Sequence, residues 1–480
     1  MGHDEFKIPN DDSVSDKDIY PGADLTDANL SGAFLKEADL TGANLTRTDL
    51  TGANLKGAVL ADVNFAGADL VNANIKEAEL TDAILRQADL TDAALWDANL
   101  TGSNLLRTDL PGANFLRADL HDANLKGSDF TDAALRQADL TDATLRQADL
   151  TDADLWAAAL PDADLKGANL TDTSLRQADL TDANLKGANL TDASLRQADL
   201  TDANLKGADL PGASLLRADL TDAFLREVNL TDAALNRANL TGTILHKADL
   251  TDTDLQVADF TNADLRYADL TGATLPGADF SEANLINTTL REVLLWETSL
   301  SDALLSRGTD IDPPSSRIEK YAESEDINYL SASVDRYDAI ARANHNLRAA
   351  YSANGLLSQA RKARVRERRA RRKEAKSDDS YRGTVEWAGS VMSRWVTGYG
   401  VQLLPVAGVM TALFLGSATA YWSTGMSVPE SLYYSIVTFT TSPPSLPEPG
   451  LMRWVAGIET FLGTTAIIFL GYVLGTRERV

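Results

Sequence analysis

From Leu25 to Leu305 every fifth residue is Leu, Phe or Ile, 57 in succession without one slip of register. Two places before each stands a small residue, mostly Ala with occasional Ser, Thr or Val. Between the two usually lies Asp or Asn, as in ADL or ANL. A three-residue strand points its first and third side chains one way and its middle one the other. Ala and Leu are therefore expected inside, Asp or Asn outside, and the next two residues turn a corner. A small residue at every second inward position implies a narrow tube with no space for anything larger.

A second period lies over the first. TDTSLRQADLTDANLKGANL (171–190) and TDASLRQADLTDANLKGADL (191–210) differ at two of twenty positions, so twenty residues, or four sides, make one coil. These A(D/N)LXX units resemble the pentapeptide-repeat family over residues 21–305. That resemblance implies a right-handed quadrilateral β-helix, a pentapeptide-repeat solenoid. About 14 coils at a strand spacing of ~4.8 Å would make a rod roughly 65 to 70 Å long.

The formal charge of −26 is unevenly distributed: residues 306–480 sum to +4, which leaves −30 for residues 1–305. The absence of Cys excludes disulfides and thiolate chemistry, and four scattered His offer no zinc-type cluster. No cofactor or metal is expected, and with no cluster of nucleophile, base and orienting group the chain does not read as an enzyme. Dense carboxylate with Arg favoured over Lys points to a salt-adapted, halophilic archaeal source. No apolar run follows MGHDEFKIPNDDSVSDKD, the polar N-terminal tail or cap (1–20), so no secretory signal is expected.

Corners carry the remaining information. Positions ending in 1 and 2 often read TD, and those ending in 6 and 7 often read RQ or KG. Corners alternate around a four-sided coil, so two opposite edges should be acidic and two opposite edges should carry Lys and Arg. Such interleaving keeps a long rod soluble, or it forms a docking surface. The family resemblance also brings in a DNA-mimicking mode that binds type II topoisomerases, which the basic edges weaken.

Beyond Leu305 the register stops at SRGTDIDPPSS, which opens a linker or cap (306–335). Residues 336–380 read as a basic helical hairpin. Ile340, Ala343, Leu347, Ala350 and Tyr351 share a face, Asn354-Gly355 is a stop signal, and Leu356, Leu357 and Ala360 restart the pattern. Its second arm, ARKARVRERRARRKEAK, has ten basic residues against two acidic ones. The run precedes an apolar segment and lacks interleaved aromatics, which favours anionic lipid over nucleic acid; contact with the acidic rod is a third reading.

Residues 401–422 and 453–476 are long and apolar enough on sequence to cross a bilayer, with basic residues flanking both outer ends. Both termini are then expected on the cytoplasmic side of the cell membrane. Between the spans, PESLYYSIVTFTTS is apolar, helix-compatible and too short to span, and Pro-Pro stops it, as in a re-entrant loop. This segment resembles the two-transmembrane-helix pore of potassium-type channels over residues 395–480. The resemblance implies a pore helix at 429–441 and a filter-like loop at 441–449. Where the family has glycines this chain has TSPPSL, so potassium selectivity does not carry over. The filter candidates are Thr440, Thr441, Ser442, Pro443, Pro444 and Ser445. The inner-helix candidates are Glu459, an acid inside an apolar stretch, with Gly463 and Gly471 for close packing or bending.

The expected protein is therefore a membrane ion-channel-like chain with an α-helical linker, an α-helical pore-like domain and a cytoplasmic rod that interacts or senses. The channel resemblance implies a homotetramer. The lipid bilayer and a cytoplasmic protein are the expected partners, with no nucleic acid. The alternative is a non-conducting, membrane-anchored pentapeptide-repeat scaffold.

Overall fold

A computed structural model of the protein describes residues 6–293, 295–312, 336–377, 404–423 and 425–440, with positions 387, 391 and 460; the side chains of 336, 404–410, 413, 439 and 440 are outside that description. The chain divides into two units, Met1–Lys320 and Tyr321–Val480.

In the first unit the backbone winds as a β-helix with twenty residues per coil. Each side contributes one bridging residue, paired in parallel with the residue twenty positions on, from Asp24↔Asn44 to Asn284↔Leu304. Around Asn44, for example, Leu25 N–H donates to the Asn44 carbonyl and Asn44 N–H donates to the Ala23 carbonyl, both at 2.8 Å. Between sides, a β-turn closes when Ala28 N–H donates to the Leu25 carbonyl at 3.1 Å. The turn's third residue, Asp27, has φ 59°. Positive φ is favourable for Gly and tolerable for Asp or Asn, which explains the run of Asp and Gly at this corner place.

The core is one column of Leu and one of small residues on each side. Leu30 through Leu60 at the fifth places are wholly buried, as are Ala33 and Ala38. Where Thr replaces Ala the hydroxyl must find a partner, and it does: Thr48 Oγ1 donates to the Leu25 carbonyl of the preceding coil at 2.8 Å. Phe replaces Leu without disturbing the pitch, because flat rings one coil apart stack; Phe260 and Phe280 lie 4.7 Å apart with planes at 3°. At the N-terminal end Lys7 pairs antiparallel with Phe34 and Ile19 is buried. At the other end β1 (Thr289–Leu290) pairs in parallel with β2 (Asp310–Ile311).

The second unit contains α1 (Arg336–Ala353) and α2 (Leu357–Ser377), which pack as a hairpin, and α3 (Leu404–Ser423) and α4 (Val428–Thr440), which also contact each other. Gly355 at φ 68° ends α1, and Leu356 N–H donates back to the Tyr351 carbonyl at 2.8 Å. Ile340, Ala343, Leu347, Ala350 and Tyr351 of α1 are buried, together with Ala360 and Ala363 of α2. Tyr421 and Tyr434 meet edge to face at 5.0 Å between α3 and α4, and Ser435 Oγ donates to the Phe414 carbonyl at 3.1 Å.

The expected membrane spans find no support among the described residues. Among the described residues no helix is long and apolar enough to cross a membrane. Of the first expected span, residues 401–403 and the side chains of 404–410 and 413 lie outside the described residues. The second expected span, 453–476, lies outside the described residues except for Thr460. A two-pass channel architecture therefore has no support from the fold, whereas the β-helix does.

Candidate interaction surface

Because residue i lies over residue i + 20, each corner position becomes a column along the rod. The Thr-Asp corners fall on two opposite edges and the basic corners on the two between, as the alternation predicts. On the acid edges the outward Asp or Asn in the middle of the preceding side holds the corner. Asp139 Oδ1 accepts from Thr141 N–H at 3.0 Å and from Thr141 Oγ1 at 2.6 Å. Thr151, Thr181, Thr201 and Thr221 repeat the arrangement. Asp24 and Asp39 use the same clamp, and the Thr hydroxyl, helped by the backbone N–H, holds their carboxyls below the usual carboxylate range. The signal for this clamp is present in the sequence as Asp-Leu-Thr, and reading the Thr only as a corner residue misses it.

Asp109 is the informative exception. Its corner begins with Pro111, which has neither N–H nor hydroxyl to donate. Burial, followed by the carboxylates of Asp89 and Asp129 one coil on either side, pushes its pKa up instead.

Basic corners are tied more loosely. Lys186 N–H donates to Asn184 Oδ1 at 3.3 Å, and Lys has no hydroxyl to add a second bond. One basic column forms a groove of about 600 Å³ lined by Lys126, Arg146, Lys166, Lys186 and Lys206, with the corner glycines Gly167, Gly187 and Gly207 leaving its floor open. Arg146 pairs with Asp164 on the adjoining face. Lys126, Lys166, Lys186 and Lys206 make no ion pair among the described residues. Elsewhere cations are consumed within the column: Arg47 grips Asp27 in a two-pronged contact at 2.7 and 2.6 Å, and Arg117 grips Asp97 likewise. Both carboxyls are lowered by those guanidinium hydrogen bonds.

A twenty-residue coil of four sides, each with an apolar fifth residue and a small residue two places earlier, is matched by the Pentapeptide repeats family in eight copies, covering residues 22–256 and 258–297. The chain belongs to the pentapeptide-repeat family. Solved structures similar to it include HetL, a pentapeptide repeat protein involved in heterocyst differentiation regulation from the cyanobacterium Nostoc (33% identity over 51% of this chain and 88% of that one, TM-score 0.25). A pentapeptide repeat protein from the Arabidopsis thaliana thylakoid lumen is also similar (33% identity, 22% and 68%, TM-score 0.17). QnrB1, a plasmid-mediated fluoroquinolone resistance protein, is 18% identical over 47% of this chain and 95% of that one, with TM-score 0.23. No curated protein matches the chain.

The filter and inner-helix candidates do not assemble into a described site. Thr440 closes α4 with its side chain outside the described residues, and Thr441, Ser442, Pro443, Pro444, Ser445, Glu459, Gly463 and Gly471 all lie outside them. In the pentapeptide-repeat rod His121, Asp122 and Asp142 bring ligand atoms within 4.8 Å of one another, at the surface of an acid edge. The basic arm α2 spends part of its charge on α1: Arg371 pairs with Asp338, and Glu367 takes His345 and Arg348 at 3.1 Å each.

Proposed function

We propose that this pentapeptide-repeat protein is a non-enzymatic scaffold, a rod that displays ordered columns of charge to a protein partner and is held at a bilayer by its C-terminal helices. The observation that carries this reading is the groove of unpaired lysines on an otherwise acidic rod. Folding does not require those cations, and like charges at coil spacing oppose one another, so a role outside the fold accounts for them. Anchoring is supported by the apolar side chains that α3 and α4 leave exposed: Leu415, Trp422, Tyr433 and Ile436 are each at least half accessible. A channel has no such support, since no described helix is long and apolar enough to cross. A DNA mimic is disfavoured too, because the acid edges are interrupted by basic ones at every quarter turn.

Liposome flotation and planar-bilayer recording of the full chain test this. Co-flotation without current, with the β-helix intact by circular dichroism, is the expected result. Sustained ionic current would overturn the scaffold in favour of a channel, and failure to float would remove the anchor.

A further inference from the structure

The four faces of the rod are not equivalent. Every face has an acid edge on one side and a basic edge on the other, because the edges alternate. Two opposite faces carry Asp columns, such as Asp89, Asp109, Asp129 and Asp149, and would repel a copy of themselves. The face with Asn124, Thr144, Asp164, Asn184 and Asn204 is different: it is flat, half-buried and almost neutral, and its one acid is held by Arg146. Its amides are pre-ordered, with Asn184 Nδ2 donating to Asp164 Oδ1 at 3.1 Å. The column continues into Phe224 and Ile244, the latter 37% exposed. Along this face six consecutive coils have Asp on one edge, from Asp122 to Asp222, and Lys or Arg on the other, from Lys126 to Arg226. The face opposite it has no such run, since Trp156, Gly212 and Leu216 interrupt its edges.

We propose that this Asn-centred face is a self-association surface, on which two copies of the chain pack with rods parallel about a two-fold axis running along the rods. That symmetry alone brings the acid edge of each copy onto the basic edge of the other, twice, whereas an antiparallel face-to-face pair sets like edges against like. The two charge rows have one spacing because both are set by the coil rise of ~4.8 Å, so the match holds over all six coils. Neither a nucleic-acid backbone nor an extended acidic peptide, with acids on one face every ~6.6 to 6.8 Å, keeps that step. The overall negative charge does not forbid the pair: beyond a Debye length of about 8 Å at physiological ionic strength the distant carboxylates are screened, and the contacting rows dominate. The contact, roughly 600 Å² per partner, sits at the low end of specific interfaces, so the association is weak and salt-sensitive. It goes beyond the scaffold reading and is independent of the anchor.

The chain has no Cys, which makes single-Cys cross-linking of the full chain clean. Under the two-fold axis Asn184 faces its own copy across about 10 Å, beyond disulfide reach, so a short bismaleimide is the appropriate reagent. Asn184→Cys should cross-link to a dimer at low salt and lose about ten-fold in yield at 0.5 M salt on the order of a 4 Å Debye length. Ser174→Cys, on the opposite face, should stay monomeric. In the Asn184→Cys background, Lys166→Glu/Lys186→Glu/Lys206→Glu and Asp162→Lys/Asp182→Lys/Asp202→Lys should each abolish cross-linking alone and restore it when mixed. A monomeric Asn184→Cys chain, equal cross-linking from Ser174→Cys, or no rescue on mixing overturns the proposal.

Discussion

The two kinds of corner differ in what ties them down. An acid corner is clamped by two hydrogen bonds from Thr to the Asp or Asn before it, as at Thr141 and Asp139. Its second residue, at positive φ, is mostly Asp or Gly, with Asn72, Asn262, Glu282 and Glu292 as the other cases. A basic corner has one longer bond, as at Lys186, and its second place holds Gln, Arg, Tyr267 or Val257 as readily as Gly. Acid corners are thus written by the needs of folding and basic corners are not. Turn chemistry admits the rod's carboxylates, since Asp and Asn make the same clamp, and the positions that the turns leave free to serve a partner are the cations.

That contrast can be broken first at the clamp. Thr141→Val keeps the shape and the N–H but loses the hydroxyl bond, and should lower the rod's stability by about 1 kcal/mol, read as a shift in urea denaturation. Lys186→Met should move it hardly at all. An equal loss at both would erase the distinction.

The same contrast explains what was legible beforehand. Leu25 to Leu305 and the twenty-residue repeat reveal the β-helix because each coil makes identical demands, and the alternation of Thr-Asp with Arg or Lys reveals the edges because register is fixed by that count. What escaped was the neighbour of each Asp: the clamp joins positions two apart across a corner, outside the inward-outward logic of the strand. The C-terminal segment had no repeat to check it. Hydropathy alone marks 401–422 and 453–476, with no periodicity to fix how they pack, and the pore candidates rest on resemblance without the glycines that define a filter.

Val257 sharpens the comparison further. A β-branched residue at φ 58° is strained, and this place is open to change because no clamp depends on it. Val257→Gly should raise stability by up to about 1 kcal/mol despite the added freedom of the unfolded chain, measured as a higher denaturation midpoint. A loss instead would mean that Val257 packing outweighs the backbone strain.

Asp109 gives the smallest effect, since it tests an acid corner without its clamp. Its folded-state pKa is raised, so the folded coil binds the proton more tightly than the unfolded chain. Ionised Asp109 is therefore destabilising at neutral pH, and the penalty vanishes as pH falls into the carboxylate range. Asp109→Asn should raise the melting temperature at pH 7 by about 1 to 2 °C, more at low salt, and leave it unchanged near pH 3, below the unfolded carboxyl's usual ~3.9. A gain that persists at pH 3 would assign the effect to packing rather than charge.

Two successive coils, 171–190 and 191–210, are near copies, and their likeness makes the rod a ruler with two kinds of gradation. Removing twenty residues shortens it by one coil rise of ~4.8 Å and leaves every edge column continuous. Removing five leaves the Leu core equally continuous but rotates all downstream columns by a quarter turn, so that an acid edge runs into a basic one. Growth and loss of such a gene segment are therefore neutral to folding at any multiple of five, while multiples of ten keep acid edges on acid edges and only multiples of twenty keep each face in its own column.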